Sequence, residues 1–297
     1  MQKTLQGKSL EQVLSVLRKE NNIPMSKIAA ETNLSIPTVK KVLDFCVANG
    51  KVSISDSALA TGGRKAQLFS INSQAAYRLF VVIDASTAYY RCLDFSANVC
   101  KNEQKSINTA DVVNETVNIF NTVKNEFENI ELCSLCVPAV VKNGKVMSWP
   151  GNDSLNSVDL AAQLEEKCGV KTAVYGNLAT SALAYGDNAA SVQYNGSSVA
   201  IAQVINGAPV IGKGAMAGNT AYFSEGVVLN FSKYFSKVIN ALCVITAPEK
   251  IIFYGAKKDG FVDKVMKDAL KKVPSELQPE WVESGNLIED IFKGLSK

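Results

Sequence analysis

Along the first fifty residues, apolar positions recur at helical spacing: Leu10, Val13, Leu14 and Leu17 fall at i, i+3, i+4 and i+7 and predict an amphipathic helix. Pro24 starts a second helix, in which Ile28 and Ala29 supply an apolar contact and a small side chain for a close crossing. Asn33 follows where the chain must turn tightly, since asparagine tolerates a left-handed backbone better than most residues. Leu34 plugs the turn into a core. Ser35 is placed to cap a third helix, and Pro37 falls in that helix's first turn, where its missing N–H costs little. Val39, Val42, Leu43 and Cys46 continue the buried stripe, and Asn49-Gly50 is a left-handed stop. Residues 51–55 and 67–71 then read as short strands around Thr61-Gly62-Gly63-Arg64-Lys65, a glycine tip with basic residues. The order is that of a winged helix-turn-helix.

Beyond the polar stretch Asn72-Ser73-Gln74 the pattern changes, which sets expected domains at 1–75 and 76–297. Leu79–Asp84 is a continuous apolar run of strand type, and two more strand-like stretches lie at 89–95 and 99–107. A helix is expected at 112–127 and a buried strand at 130–137, with a hairpin turn at Asn143-Gly144. Helix, strand and helix follow at 158–167, 171–175 and 178–185, and Gly169 stops the first of them. After a second meander containing Asn206-Gly207 come a helix at 227–244, a strand at 251–254 and a helix at 261–273. Three strands followed by alternating helix and strand, in two rounds, predict a duplicated α/β architecture with mixed sheets.

Composition narrows the chemistry. The 297 residues include no histidine, so Ser-His-Asp, Cys-His and His-zinc mechanisms are excluded, along with a near-neutral imidazole switch. Seven cysteines, an odd number and irregularly spaced, do not form a disulfide framework. Cys133 and Cys136 sit in an apolar strand-like run with no second pair at zinc spacing, and read as small core residues. The chain shows neither a bilayer-length apolar run nor a secretory leader, and a cytoplasmic protein is expected.

Charge is unevenly divided. Residues 1–75 carry 10 Lys/Arg and 5 Asp/Glu, net +5; the rest carry 21 and 23, net −2. A basic module joined to a near-neutral domain points to double-stranded DNA as partner. On the third helix, Thr38 and Lys41 are candidates for base-edge contacts, with Ser35 and Pro37 at the end that enters a major groove. Lys40 and Lys27 are candidates for phosphate, which positions a protein without reading sequence. Arg64 and Lys65 at the glycine tip are candidates for an adjacent minor groove.

Two further segments, TGGRKAQLFSIN at 61–72 and PEKIIFYGA at 248–256, bring a resemblance into view. In order and spacing around the helix-turn-helix, they resemble the ROK family of repressors, open reading frames and kinases. The resemblance implies a winged helix followed by a shortened, duplicated actin/hexokinase-like (ribonuclease H-like) α/β domain, with a sugar as the candidate effector. A homodimer is expected because one small winged helix buries little surface, whereas two set a fixed half-site spacing. The resemblance also exposes departures. The family's phosphate turn Asp-x-Gly-Gly-Thr stands here as Asp84-Ala85-Ser86-Thr87, without the glycines that let backbone N–H groups approach phosphate. A second glycine-rich turn is missing after Val199–Val204. Asn177 replaces the family's aspartate base, and an amide has no useful basicity. The family's Ala-Gly-Glu-Ile-Gly-His becomes Ala217-Gly218-Asn219-Thr220-Ala221-Tyr222, and the Cys-rich zinc loop is absent before Gly226. Ala256 replaces a second glycine. A regulator, expected to be a repressor, without kinase activity, zinc or cofactor is implied, with an ATP-dependent sugar kinase as the rival. Trp149, Asn152, Asp153, Asn177 and Asn219 are the candidate effector-binding residues, Trp149 as a stacking platform.

Overall fold

A computed structural model describes residues 2–56, 67–194, 198–220, 231–255 and 260–297. The chain divides into two compact units, one of residues 1–79, 91–102 and 122–132, the other of residues 80–90, 103–121 and 133–297.

The first unit begins with helix α1 (Gln2–Lys19), the short strand β1 (Ile23–Pro24), helix α2 (Met25–Thr32) and helix α3 (Ile36–Ala48). Asn33, between α2 and α3, has φ 54° and ψ 26°, the left-handed conformation expected from its residue type. Strands β2 (Val52–Asp56) and β3 (Gln67–Ile71) pair antiparallel from Val52 opposite Ile71 to Asp56 opposite Gln67, and β1 joins the other edge of β3. The helical stripes meet in one core: Val13, Leu14 and Leu17 of α1, Ile28 of α2, and Val39, Leu43 and Cys46 of α3 are buried together with Val52, Phe69 and Ile71. The glycine tip with Arg64 and Lys65 lies outside the described residues.

The remaining elements are β4 (Tyr77–Asp84), β5 (Thr87–Asp94), β6 (Val99–Ser106), α4 (Val112–Lys124), β7 (Ile130–Val137), β8 (Val140–Lys142), β9 (Lys145–Ser148), α5 (Leu160–Cys168), β10 (Lys171–Gly176) and α6 (Asn177–Leu183). They are followed by β11 (Ala189–Tyr194), β12 (Val199–Ile205), β13 (Ala208–Pro209), α7 (Phe231–Thr246), β14 (Lys250–Gly255), α8 (Phe261–Leu270), β15 (Glu280–Glu283) and α9 (Leu287–Leu295). Two five-stranded sheets result, ordered β10-β7-β4-β5-β6 and β13-β12-β11-β14-β15. Counted from the first strand of each, both have the order 3-2-1-4-5, so the duplication read from the pattern of elements is present in the topology. The second sheet is mixed: β11 pairs antiparallel with β12 and parallel with β14, which pairs parallel with β15.

Alternation along β14 shows how this second sheet is covered. Ile251 and Phe253 pack with Phe235 and Ile239 of α7 and Val265 and Met266 of α8, whereas Ile252 and Tyr254 pack with Ala182 of α6 and Leu287 of α9. The turns foreseen at Asn143-Gly144 and Asn206-Gly207 both form, all four residues having positive φ, as the tight hairpin turn requires. No helix among the described residues is long and apolar enough to cross a membrane.

Candidate functional site

Two surfaces carry candidate chemistry. On the first unit, the cap of α3 is built as its sequence suggests: the Thr38 N–H donates to Ser35 Oγ at 3.4 Å, and the two hydroxyls lie 2.8 Å apart. Ser35 and Thr38 therefore satisfy each other in the free protein. Lys27 pairs with Glu20 at 2.5 Å and Lys40 with Asp44 at 2.6 Å, each pair well exposed. The hydrogen bond that Lys27 donates to the Glu20 carboxylate holds its ammonium above the ordinary pKa, so it stays a cation. Exposed pairs of this kind are worth little, because water screens them, so a phosphate can replace either carboxylate at small cost. Pro37 and Lys41 are exposed one helical turn apart on α3, and no described residue pairs with Lys41. The sequence reading missed Ile36, the first residue of α3, which is 47% exposed. Its signal was an apolar residue lying off the buried stripe.

The second surface is a cleft of about 1150 Å³ within the second unit. Asn177 and Asn219 line it together with Asp84, Tyr175 and Leu287. Trp149, Asn152 and Asp153, also expected to meet an effector, are not among its lining residues. Trp149 is 4% exposed, so its indole has no open face for stacking. Asn152 Nδ2 donates to the Thr109 carbonyl at 2.9 Å, and Asp153 accepts from Asn156 Nδ2 at 3.3 Å, so both side chains serve their own loop.

Asn177 is the notable group in the cleft. At 3% exposure it opens α6, and its Nδ2 donates to the Ile83 carbonyl at 2.8 Å. That bond fixes the amide orientation and leaves Oδ1 buried with no partner. A buried acceptor without a donor costs about 1–3 kcal/mol. Most neighbouring hydroxyls are already used. Thr172, Thr180 and Tyr234 donate to the carbonyls of Val170, Gly176 and Thr220 at 3.1, 2.9 and 2.6 Å.

The turn after β4 contains Ala85 at φ 48°, a left-handed alanine where a glycine carries no penalty. Farther on, β12 turns directly into β13 through Asn206-Gly207, with Ile205 opposite Ala208. No trio of His, Cys, Asp or Glu side chains converges as a metal site among the described residues. Tyr222, Gly226 and Ala256 lie outside them. Cys133 and Cys136 are free and fully buried, and burial pushes the Cys136 thiol up to about 12 and Cys133 higher still, so neither is a nucleophile near neutral pH.

The helix that carries Asn177 is anchored from behind by α9. Asp290, 2% exposed, accepts hydrogen bonds from Tyr185 Oη at 2.9 Å, Tyr254 Oη at 3.1 Å, Ser284 Oγ at 2.6 Å and Lys293 Nζ at 3.1 Å.

No family model and no curated protein matches the sequence. Solved structures do match the fold. A ROK family transcriptional regulator, described as a homolog of the Escherichia coli MLC protein, superposes with a TM-score of 0.70 at 12% identity, covering 98% of each chain. The ROK hexokinase from Thermus thermophilus gives 0.57 at 11% identity, covering 73% of this chain and 96% of its own. A ROK family protein from Streptococcus pneumoniae, solved in complex with sucrose, gives 0.53 at 11%, with coverage of 73% and 96%. With the same order of strands in its two sheets and a likeness running almost end to end, the chain has the fold of the ROK family.

Proposed function

We propose that this protein is a ROK-type transcription regulator: a homodimer that binds a double-stranded DNA operator in the cytoplasm as a repressor and has no kinase activity. In this reading α2, Asn33 and α3 are a helix-turn-helix, β2 and β3 are the strands of its wing, and residues 76–297 serve assembly and sensing. The observation that carries it is the span of the likeness. The regulator is matched over 98% of this chain, whereas the hexokinase, itself covered over 96%, leaves about a quarter of this chain without a counterpart. That is the size of the basic N-terminal segment, with its net charge of +5 from 10 Lys/Arg and 5 Asp/Glu. Two copies set a fixed half-site spacing, which a single module of this size lacks.

The loss of phosphotransfer rests on Asn177. Its amide has no proton-accepting role near pH 7, and its Nδ2 is committed to the Ile83 carbonyl. Asn177 and Asn219 remain as the effector-binding pair in the cleft, the sugar of the relatives being one class of molecule with the donors that Asn177 Oδ1 lacks. A coupled ATP-consumption assay over a panel of hexoses separates the two readings. The regulator shows no sugar-dependent turnover; turnover that disappears in Asn177→Ala would establish the kinase instead.

A further inference from the structure

Helix α3 presents an apolar tip. Its first two residues, Ile36 and Pro37, are exposed, and Ile36 stands apart from the core that buries Val39, Leu43 and Cys46. The polar groups beside them are already engaged, since Ser35 Oγ accepts the Thr38 N–H and lies 2.8 Å from the Thr38 hydroxyl. One turn farther along come the cations, Lys40 four residues after Ile36 and Lys41 four residues after Pro37. An apolar tip followed by lysines matches a polyanion whose recessed surface holds apolar groups.

The major groove has that character. Base edges there display donors and acceptors, and the thymine C5-methyl is their apolar group. Neither isoleucine nor proline has a side-chain donor or acceptor, so neither can read a base by hydrogen bonding. The opening residues of such a helix are those that reach base edges. We propose that Ile36, next to Pro37 at the start of α3, is a specificity-determining residue that selects thymine through van der Waals contact with its C5-methyl group. This rests on the DNA-binding reading above. It adds a position that reads shape and methylation at carbon 5 of the pyrimidine, where hydrogen bonding is silent.

The test uses the full chain and a duplex that it enriches from a random pool. The duplex is resynthesised with deoxyuridine in place of thymidine, one position at a time, which deletes only the methyl group. At one or more thymidines wild-type affinity is expected to fall about fourfold, the worth of one buried methyl. Ile36→Ala is expected to weaken binding to the thymidine duplex by a similar factor and to bind the two duplexes equally. Because Ile36 is exposed and outside the core, this variant keeps its fold, and Ile36→Val is expected to retain part of the thymidine preference. Wild-type affinity unchanged at every deoxyuridine position, or the same thymidine preference persisting in Ile36→Ala, would overturn the assignment while leaving DNA binding intact. Failure of the chain to bind or enrich any duplex would overturn the DNA-binding reading, and this assignment with it.

Discussion

Asp290 is a carboxylate with almost no contact with solvent, and its ionisation follows from competing effects. Burial pushes its pKa up, but hydrogen bonds from Ser284, Tyr185, Lys293 and Tyr254 together outweigh burial and leave the carboxyl below its ordinary value. A carboxyl depressed in the fold stabilises it fully above the unfolded pKa of about 3.9, and that contribution is lost as pH falls through the native value. Replacing Asp290 by Asn is expected to cost about 1.5–3 kcal/mol in urea unfolding at pH 7, the worth of hydrogen bonds to a charged group. The gap from wild type should narrow below about pH 4; a gap independent of pH down to 3 would contradict the ionised role. At this scale the sequence was only partly readable. Asn33, Ser35 and Pro37 declare their positions through backbone preference, a local property. Trp149 did not, because whether an indole next to a turn is buried depends on contacts that local pattern leaves undetermined.

Elements were more legible where both faces have a fixed fate. Strands β4 and β14 are apolar on consecutive residues because both of their faces are buried, and both were found within a few residues of their observed ends. The C-terminal pair β15 and α9 went unread, although Leu287, Ile288, Ile291, Phe292 and Leu295 repeat at helical spacing. The strand before them is short and only half-buried, so it gave no frame for the helix. Packing explains why α9 matters. A Cβ built on Gly294 would lie 1.9 Å from the Thr180 carbonyl oxygen, backbone that cannot move aside without displacing α6. Gly294→Ala is therefore expected to destabilise the protein by about 1–3 kcal/mol, the usual range for overpacking. Since α6 begins at Asn177, the same substitution should disturb the cleft. Unfolding midpoints equal to wild type would show that the two helices tolerate separation.

For the molecule as a whole, the duplicated 3-2-1-4-5 sheet order explains why the alternation of strands and helices was readable: each round repeats the same topological problem. Identity of 12% to a structure that superposes along 98% of the chain shows that the fold's tolerance is wide, while chemistry depends on few positions. In the proposed reading, the absence of histidine, of glycine at Asp84-Ala85 and of a carboxylate at Asn177 changes what the second unit can do without changing its sheets. In that same reading the basic first quarter, net +5, carries the function. The most direct test is the affinity of the full chain for a duplex enriched from a random pool, measured against an unrelated duplex across a range of salt. The regulator is expected to prefer the enriched duplex by at least about a thousandfold, with log K falling linearly in log salt by roughly 0.9 per phosphate contacted. Equal affinity for both duplexes, or binding indifferent to salt, would contradict it.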